Sequence, residues 1–404
     1  MKRNYIKNLF TLVLGMSLLF TACNDDDPII DDTDPVDTDN IIVTKNISAD
    51  ETWTSDKVYQ LGGRITVLDG VTLTIEPGTI IKGEAGTGAN ATALLVAKGG
   101  KLMAKGRADA PIIFTSVADE ISPEDVEAGN FGSPNLDPDI DGWWGGVIVL
   151  GKAKISASNE GDQMSEVQIE GIPTSDPNGL YGGNDNADNS GVLKYISIRH
   201  GGANIGSGNE INGLTLGGVG TGTVIENIEV VANQDDGIEW FGGTVNVNNV
   251  LVWNVNDDAI DTDQSWEGTL DNFIIIAPTG HCFELDGPEG TYEAGHTIKN
   301  GTVIAGDDNL GRYAGDLINV DDNSIVDLQN IYFTEITEGQ VINRVTAAGV
   351  SFTGIEFDVA QEDLSSHVNG DVPAGVTAGG TPKADASVFS WTWAFKSGAL
   401  NSIK

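Results

Sequence analysis

Asp236, Asp257, Asp258 and His281 have the types and spacing to do acid–base chemistry. They fall in three short phrases, Asp235-Asp-Gly-Ile-Glu, Asp257-Asp-Ala-Ile-Asp and Gly280-His-Cys-Phe-Glu. Carboxyls held in different surroundings can divide the work of glycoside hydrolysis, one as general acid and another activating water. The same phrases carry a second acidic set, Glu239, Asp261 and Glu284, each three residues after a member of the first. Calcium takes roughly six to eight oxygen ligands, so stacked carboxylates are equally suited to hold a cation.

The elements that must position these groups are visible as a repeat. Asn227, Asn249 and Asn272 lie 22 and 23 residues apart, and Ile238, Ile260 and Phe283 repeat the same steps, each 11 residues behind its Asn. A short fixed period with β-branched residues and no helical stripe predicts an all-β solenoid, a right-handed parallel β-helix. If Ile238, Ile260 and Phe283 point inward, Glu239, Asp261 and Glu284 point outward, continued by Asn319 and Asn343. The other column runs Asp236, Asp258, His281, Asp316, Gln340. Rungs are ~4.8 Å apart, where two carboxylates repel by ~1 kcal/mol in water and ~3 kcal/mol at an effective dielectric near 20. Such a face is either solvated with its side chains splayed, or neutralised by protons, cations or hydrogen-bond donors. Asn300 and Asn330 extend the Asn column, whose stacked amides are expected to bond turn backbone and neighbouring rungs.

With 60 acidic against 21 basic residues and a net charge of −39, the chain lacks the basic footprint that nucleic acid or an anionic membrane surface requires. Residues 1–22 have the basic start and apolar run of a secretory signal. Phe20-Thr-Ala-Cys23 resembles the bacterial lipobox, which implies lipid on Cys23 and attachment to a membrane. Residues 23–45 are expected to form an extended acidic tether. An acidic run at that place resembles the export signal of surface lipoproteins in Bacteroidota, and implies an outer-membrane protein facing the cell exterior. Cys282 is expected to be a small buried hydrophobe.

Residues 46–385 are assigned to the β-helix and 386–404 to a C-terminal cap. Trp391 and Trp393 are expected either to help plug the open end or to form a platform for a sugar. Asp/Asn/Gly loops containing Asp185, Asp188, Asp307 and Asp308 add candidate calcium ligands, and Arg312 adds a cation to the proposed binding face of Glu239, Asp261, Glu284 and Asp316.

Two resemblances bear on function. Trp143-Trp-Gly-Gly-Val-Ile-Val-Leu-Gly-Lys-Ala and Tyr181-Gly-Gly-Asn-Asp-Asn-Ala-Asp-Asn-Ser-Gly look like a largely uncharacterised family of β-helical surface lipoproteins from Bacteroidota. That likeness implies fold and location and supplies no agreed activity. The lipobox, the acidic tether and a solenoid without a complete catalytic set point to a binding or assembly module for an extracellular glycan, a protein partner or an outer-membrane transporter or secretion complex. The three acidic phrases resemble the active-site ladder of polygalacturonase-type glycoside hydrolases. In that likeness Asp236 matches the first carboxylate, Asp257 and Asp258 the pair, and His281 the histidine, with Asp258 as general acid. The family's Arg-x-Lys segment is missing, since Arg312 is followed by Tyr313 and Ala314.

Overall fold

The computed structural model describes residues 40–206 and 211–403. The signal, Cys23 and the acidic run through Asp39 lie outside the described residues. The folded body begins earlier than the sequence suggested. Asn40–Val43 is already a strand parallel to Val58–Leu61, because Ile41, Ile42 and Val43 supply apolar, β-branched residues at the end of the acidic run.

Parallel strands stack rung on rung, forming a parallel β-helix. One long ladder contains Gly191–Arg199, Val224–Val231, Val247–Trp253, Thr269–Ile276, His296–Ile304, Ile325–Thr334 and Gly349–Phe357. Its register runs Glu226↔Asn248↔Asp271↔Lys299↔Gln329, then resumes at Ile228↔Val250↔Phe273↔Gly301↔Ile331. The skipped residues are Asn227, Asn249, Asn272, Asn300 and Asn330, with φ of 61°, 58°, 60°, 60° and 55°. Asn tolerates this left-handed conformation better than most residues, so each strand bends there and one ladder forms two walls. The Asn residues therefore sit within the bent strands. Asn249 donates to Asn227 (3.2 Å), Asn272 to Asn249 (2.7 Å) and Asn330 to Asn300 (2.8 Å), whereas Asn300 turns to Asp271 (2.6 Å).

The third wall is a separate parallel sheet of eight strands, which includes Ala93–Val96, Val147–Leu150, Leu214–Gly217, Ile238–Gly243, Ile260–Trp266, Phe283–Leu285 and Asn319–Val320. Ile228, Val250, Phe273, Ile238, Ile260 and Phe283 are fully buried in the tube. Trp240 stacks on Trp266 at 4.7 Å, and Phe273, Phe283, Phe333 and Phe357 form an edge-to-face series. Such aromatic pairs add about 0.5–1.5 kcal/mol each beyond the area they bury.

Segments outside the strands cover outer faces of this tube, as Ile121, Val126 and Phe131 do on Ile80 and Ile113. Ile155, Ala157, Ile169, Ile172 and Tyr181, from the excursion after Leu150, pack on Ala93, Leu95, Ile148 and Leu150 of the third wall. Phe389, Trp393, Ala394 and Leu400 pack on Val231, Leu251, Trp253, Ile274, Ile276 and Ile304. The C-terminal segment lies along a flank of the solenoid instead of plugging its end, because these strands are apolar on both faces and need an outer cover. Trp391 and Trp393 are 2% and 8% exposed, so neither offers a platform to a sugar.

Candidate functional site

The acidic columns stand on the third wall. Its register sets Thr215, Glu239, Asp261, Glu284 and Asn319 side by side on the outer face, while Ile238, Ile260 and Phe283 fill the inside. Asn212 donates to Glu239, Asn319 donates to Glu284 at 3.0 Å, and Asn343 donates to Asn319. Asn212 is 1% exposed and its Oδ1 has no hydrogen-bond partner.

The neighbouring column does structural work. Asp236 Oδ1 accepts the Asp258 backbone N–H at 2.9 Å, Asp258 Oδ1 accepts that of His281, and Asp316 Oδ1 accepts that of Val341 at 2.7 Å. Each carboxylate brackets its rung to the next. His281 Nδ1 lies 2.9 Å from Asp258 Oδ1 and 4.0 Å from Glu284 Oε1. Three sets, Asp258/His281/Glu284, Asp235/Asp236/Asp257 and Asp236/Glu239/Asp261, bring ligand atoms within 4.8 Å of one another. Asp257 is exposed, whereas Asp236 and Asp258 are buried.

The crowding shifts proton affinities in both directions. Burial, with neighbouring carboxylates adding to it, pushes Asp236, Glu239 and Asp261 well above the usual carboxylate range. Burial beside Glu289 and Asp286 raises Asp263 to about 7, and burial beside Asp321 raises Asp286 to about 6. Glu284 rises to about 8, first through its hydrogen bond to Asp258 and then through burial. Burial also acts on Asp258, but hydrogen bonds from His281 and Glu284 outweigh it and leave Asp258 below its usual value. The bond to Asp258 raises His281. Asp263 and Asp286 escaped the sequence analysis although strand alternation marks them, since they stand two residues after Asp261 and Glu284.

Other expected site residues lie elsewhere or are occupied. Arg312 donates to the backbone carbonyls of Val255 (2.7 Å) and Ala277 (3.3 Å), which ties its guanidinium to the turns rather than the acidic face. Asp185 accepts from Ala187 N–H, Asp188 from the Ser190 hydroxyl, Asp307 from Asn309 N–H and Asp308 from the Tyr313 hydroxyl. These four act in turns, and none belongs to the three close-ligand sets found among the described residues. Asp307 and Asp308 instead line a cavity of about 440 Å³ with Ile276, Ile304 and Glu335. Cys282 is fully buried, and burial pushes its thiol far up.

A family model described as a pectate-lyase-like β-helix domain matches residues 45–374. No curated protein and no solved structure matches the chain. The chain belongs to that β-helix family.

Proposed function

We propose that this member of the pectate-lyase-like β-helix family is a glycan-binding module, held by lipid on Cys23 at the outer face of the outer membrane. The observation that carries this reading is the division of labour between the two columns. Asp236, Asp258 and Asp316 bracket the wall, while Glu239, Asp261, Asp263 and Glu284 line its outer side as a column of carboxyls whose proton affinities are raised. Carboxylates accept hydrogen bonds from sugar hydroxyls. The oxygen-rich sets, with the unpartnered Oδ1 of Asn212 beside Glu239, suit a hard cation such as calcium, which would neutralise the strip. In the cell the module would present its ligand to an outer-membrane transporter or secretion complex.

The test is retardation of the protein, purified from membranes in detergent, through native gels containing a panel of polysaccharides, with calcium or with chelator. Retardation by at least one glycan, lost in the triple variant Glu239→Gln/Asp261→Asn/Glu284→Gln, is the expected outcome. No retardation across the panel, or an unaffected triple variant, would overturn the reading.

A second reading, polysaccharide cleavage, is favoured by one observation. Asp258 and Glu284 are adjacent carboxyls whose proton affinities are driven apart, the pattern of an acid–base pair. Against inverting hydrolysis, the carboxyl oxygens of the candidate sets approach within 4.8 Å, closer than the roughly 6.5–9.5 Å carboxyl separation that leaves room for water.

A further inference from the structure

Trp143 differs from every other tryptophan of this chain. The remaining seven are at most 8% exposed, whereas Trp143 is 41% exposed. Its position is nevertheless fixed. Its backbone N–H donates to His200 O at 3.0 Å, the preceding Gly142 N–H donates to Gly201 O at 2.6 Å, and the following Trp144 is fully buried with its indole N–H on Arg199 O at 2.7 Å. Gly142 has φ of 70°, a left-handed conformation that favours glycine. The backbone that carries this exposed indole is therefore held in place before any ligand arrives, which spares that part of the ordering cost of binding.

The turns that follow the Trp143 segment are polar and lead toward the acidic columns. Gln234 N–H donates to Gly201 O at 3.1 Å, and Asn256 N–H donates to Asn233 O at 2.8 Å, so the turns after Trp143 stack in register as a ridge. Asn256 donates its side-chain amide to Asp141, two residues before Trp143, at 2.5 Å. The exposed Asp257 follows Asn256, and one of its ligand atoms lies within 4.8 Å of Asp236. An ionised carboxylate has about four acceptor sites, so bonds within the turn leave capacity for a ligand.

We propose that Trp143 is the stacking subsite for a neutral glycan, placed at the head of the turn ridge that leads to the acidic strip. This rests on the glycan-binding reading and names its ligand class. The apolar face of a pyranose packs on an indole, and its hydroxyls donate to amide and carboxylate oxygens beside it. A polyuronate would meet the carboxylates of Asp141 and Asp257 on the ridge and, with no cation between them, be repelled.

The experiment is native gel retardation of the detergent-purified protein in laminarin, xylan, mannan and polygalacturonate, each with the wild type, Trp143→Ala and Trp143→Phe. At least one neutral glycan slows the wild type, Trp143→Ala weakens that retention by roughly tenfold, and Trp143→Phe keeps most of it. Equal retention of Trp143→Ala and wild type would overturn the subsite while leaving the binding function intact. Retention in polygalacturonate alone would overturn the neutral class. No retention in any gel would overturn the subsite and the binding reading together.

Discussion

Glu284 is the side chain at which the chemistry of the acidic face is most exposed to test. Its carboxyl lies beside Asp258, and the hydrogen bond between them raises Glu284 to about 8 against an ordinary 4.5. A carboxyl raised on folding contributes stability that is fully present below its unfolded value and is lost as pH rises through its folded value. The loss runs through about 6 for Asp286, about 7 for Asp263 and about 8 for Glu284. His296 works at the other end. Buried against Trp266, it is lowered to about 3, so its contribution is present above 6.5 and is lost as pH falls from there toward 3. The melting temperature is therefore expected to fall as pH rises from about 6 to about 9, and to fall again well below 6. Glu284→Gln removes the last part of the alkaline loss, so it should melt above the wild type at about pH 9 and not at about pH 5. Parallel curves for the two proteins would contradict the Glu284–Asp258 proton.

Within the elements, the bend column shows which parts of the fold a sequence declares. The Asn period announced the rung, and strand alternation placed Ile238, Ile260 and Phe283 inside and Glu239, Asp261 and Glu284 outside. The amide ladder is local chemistry on a repeat, which makes it legible. The left-handed backbone at each Asn was a further cue, because few other residues accept it. Asn249→Ala should cost about 2–3 kcal/mol, of which roughly 1–2 is backbone strain and about 1 is the lost bonds to Asn227 and Asn272. Asn249→Gly should cost only about 1 kcal/mol, since glycine accepts the bend. Denaturant unfolding of both variants tests this order, and a glycine variant as unstable as the alanine one would refute it. The C-terminal cover was not legible as a docking event, because its contacts join residues more than 80 positions apart. A cue did exist: Val250-Leu251-Val252-Trp253 and Phe273-Ile274-Ile275-Ile276 are apolar at both parities, which demands burial on both faces.

The β-helix is a stack in which rung spacing brings carboxyl groups together on one outer face. Repetition made the fold readable and also made the likeness to a hydrolase ladder easy to produce, since any acidic pair one rung apart meets the spacing. What the sequence could not show is that Asp236, Asp258 and Asp316 each accept a backbone N–H from the next rung, because that role depends on side-chain direction. Nor could it show that Arg312 is engaged by turn carbonyls, whereas His281 lies 2.9 Å from Asp258. We propose that this face retains a glycan without cleaving it. The most direct measurement follows reducing ends and unsaturated products over time from whichever glycan slows the protein in a native gel. Retention with no product is the predicted result, whereas product release by the wild type that disappears in Glu284→Gln would contradict it.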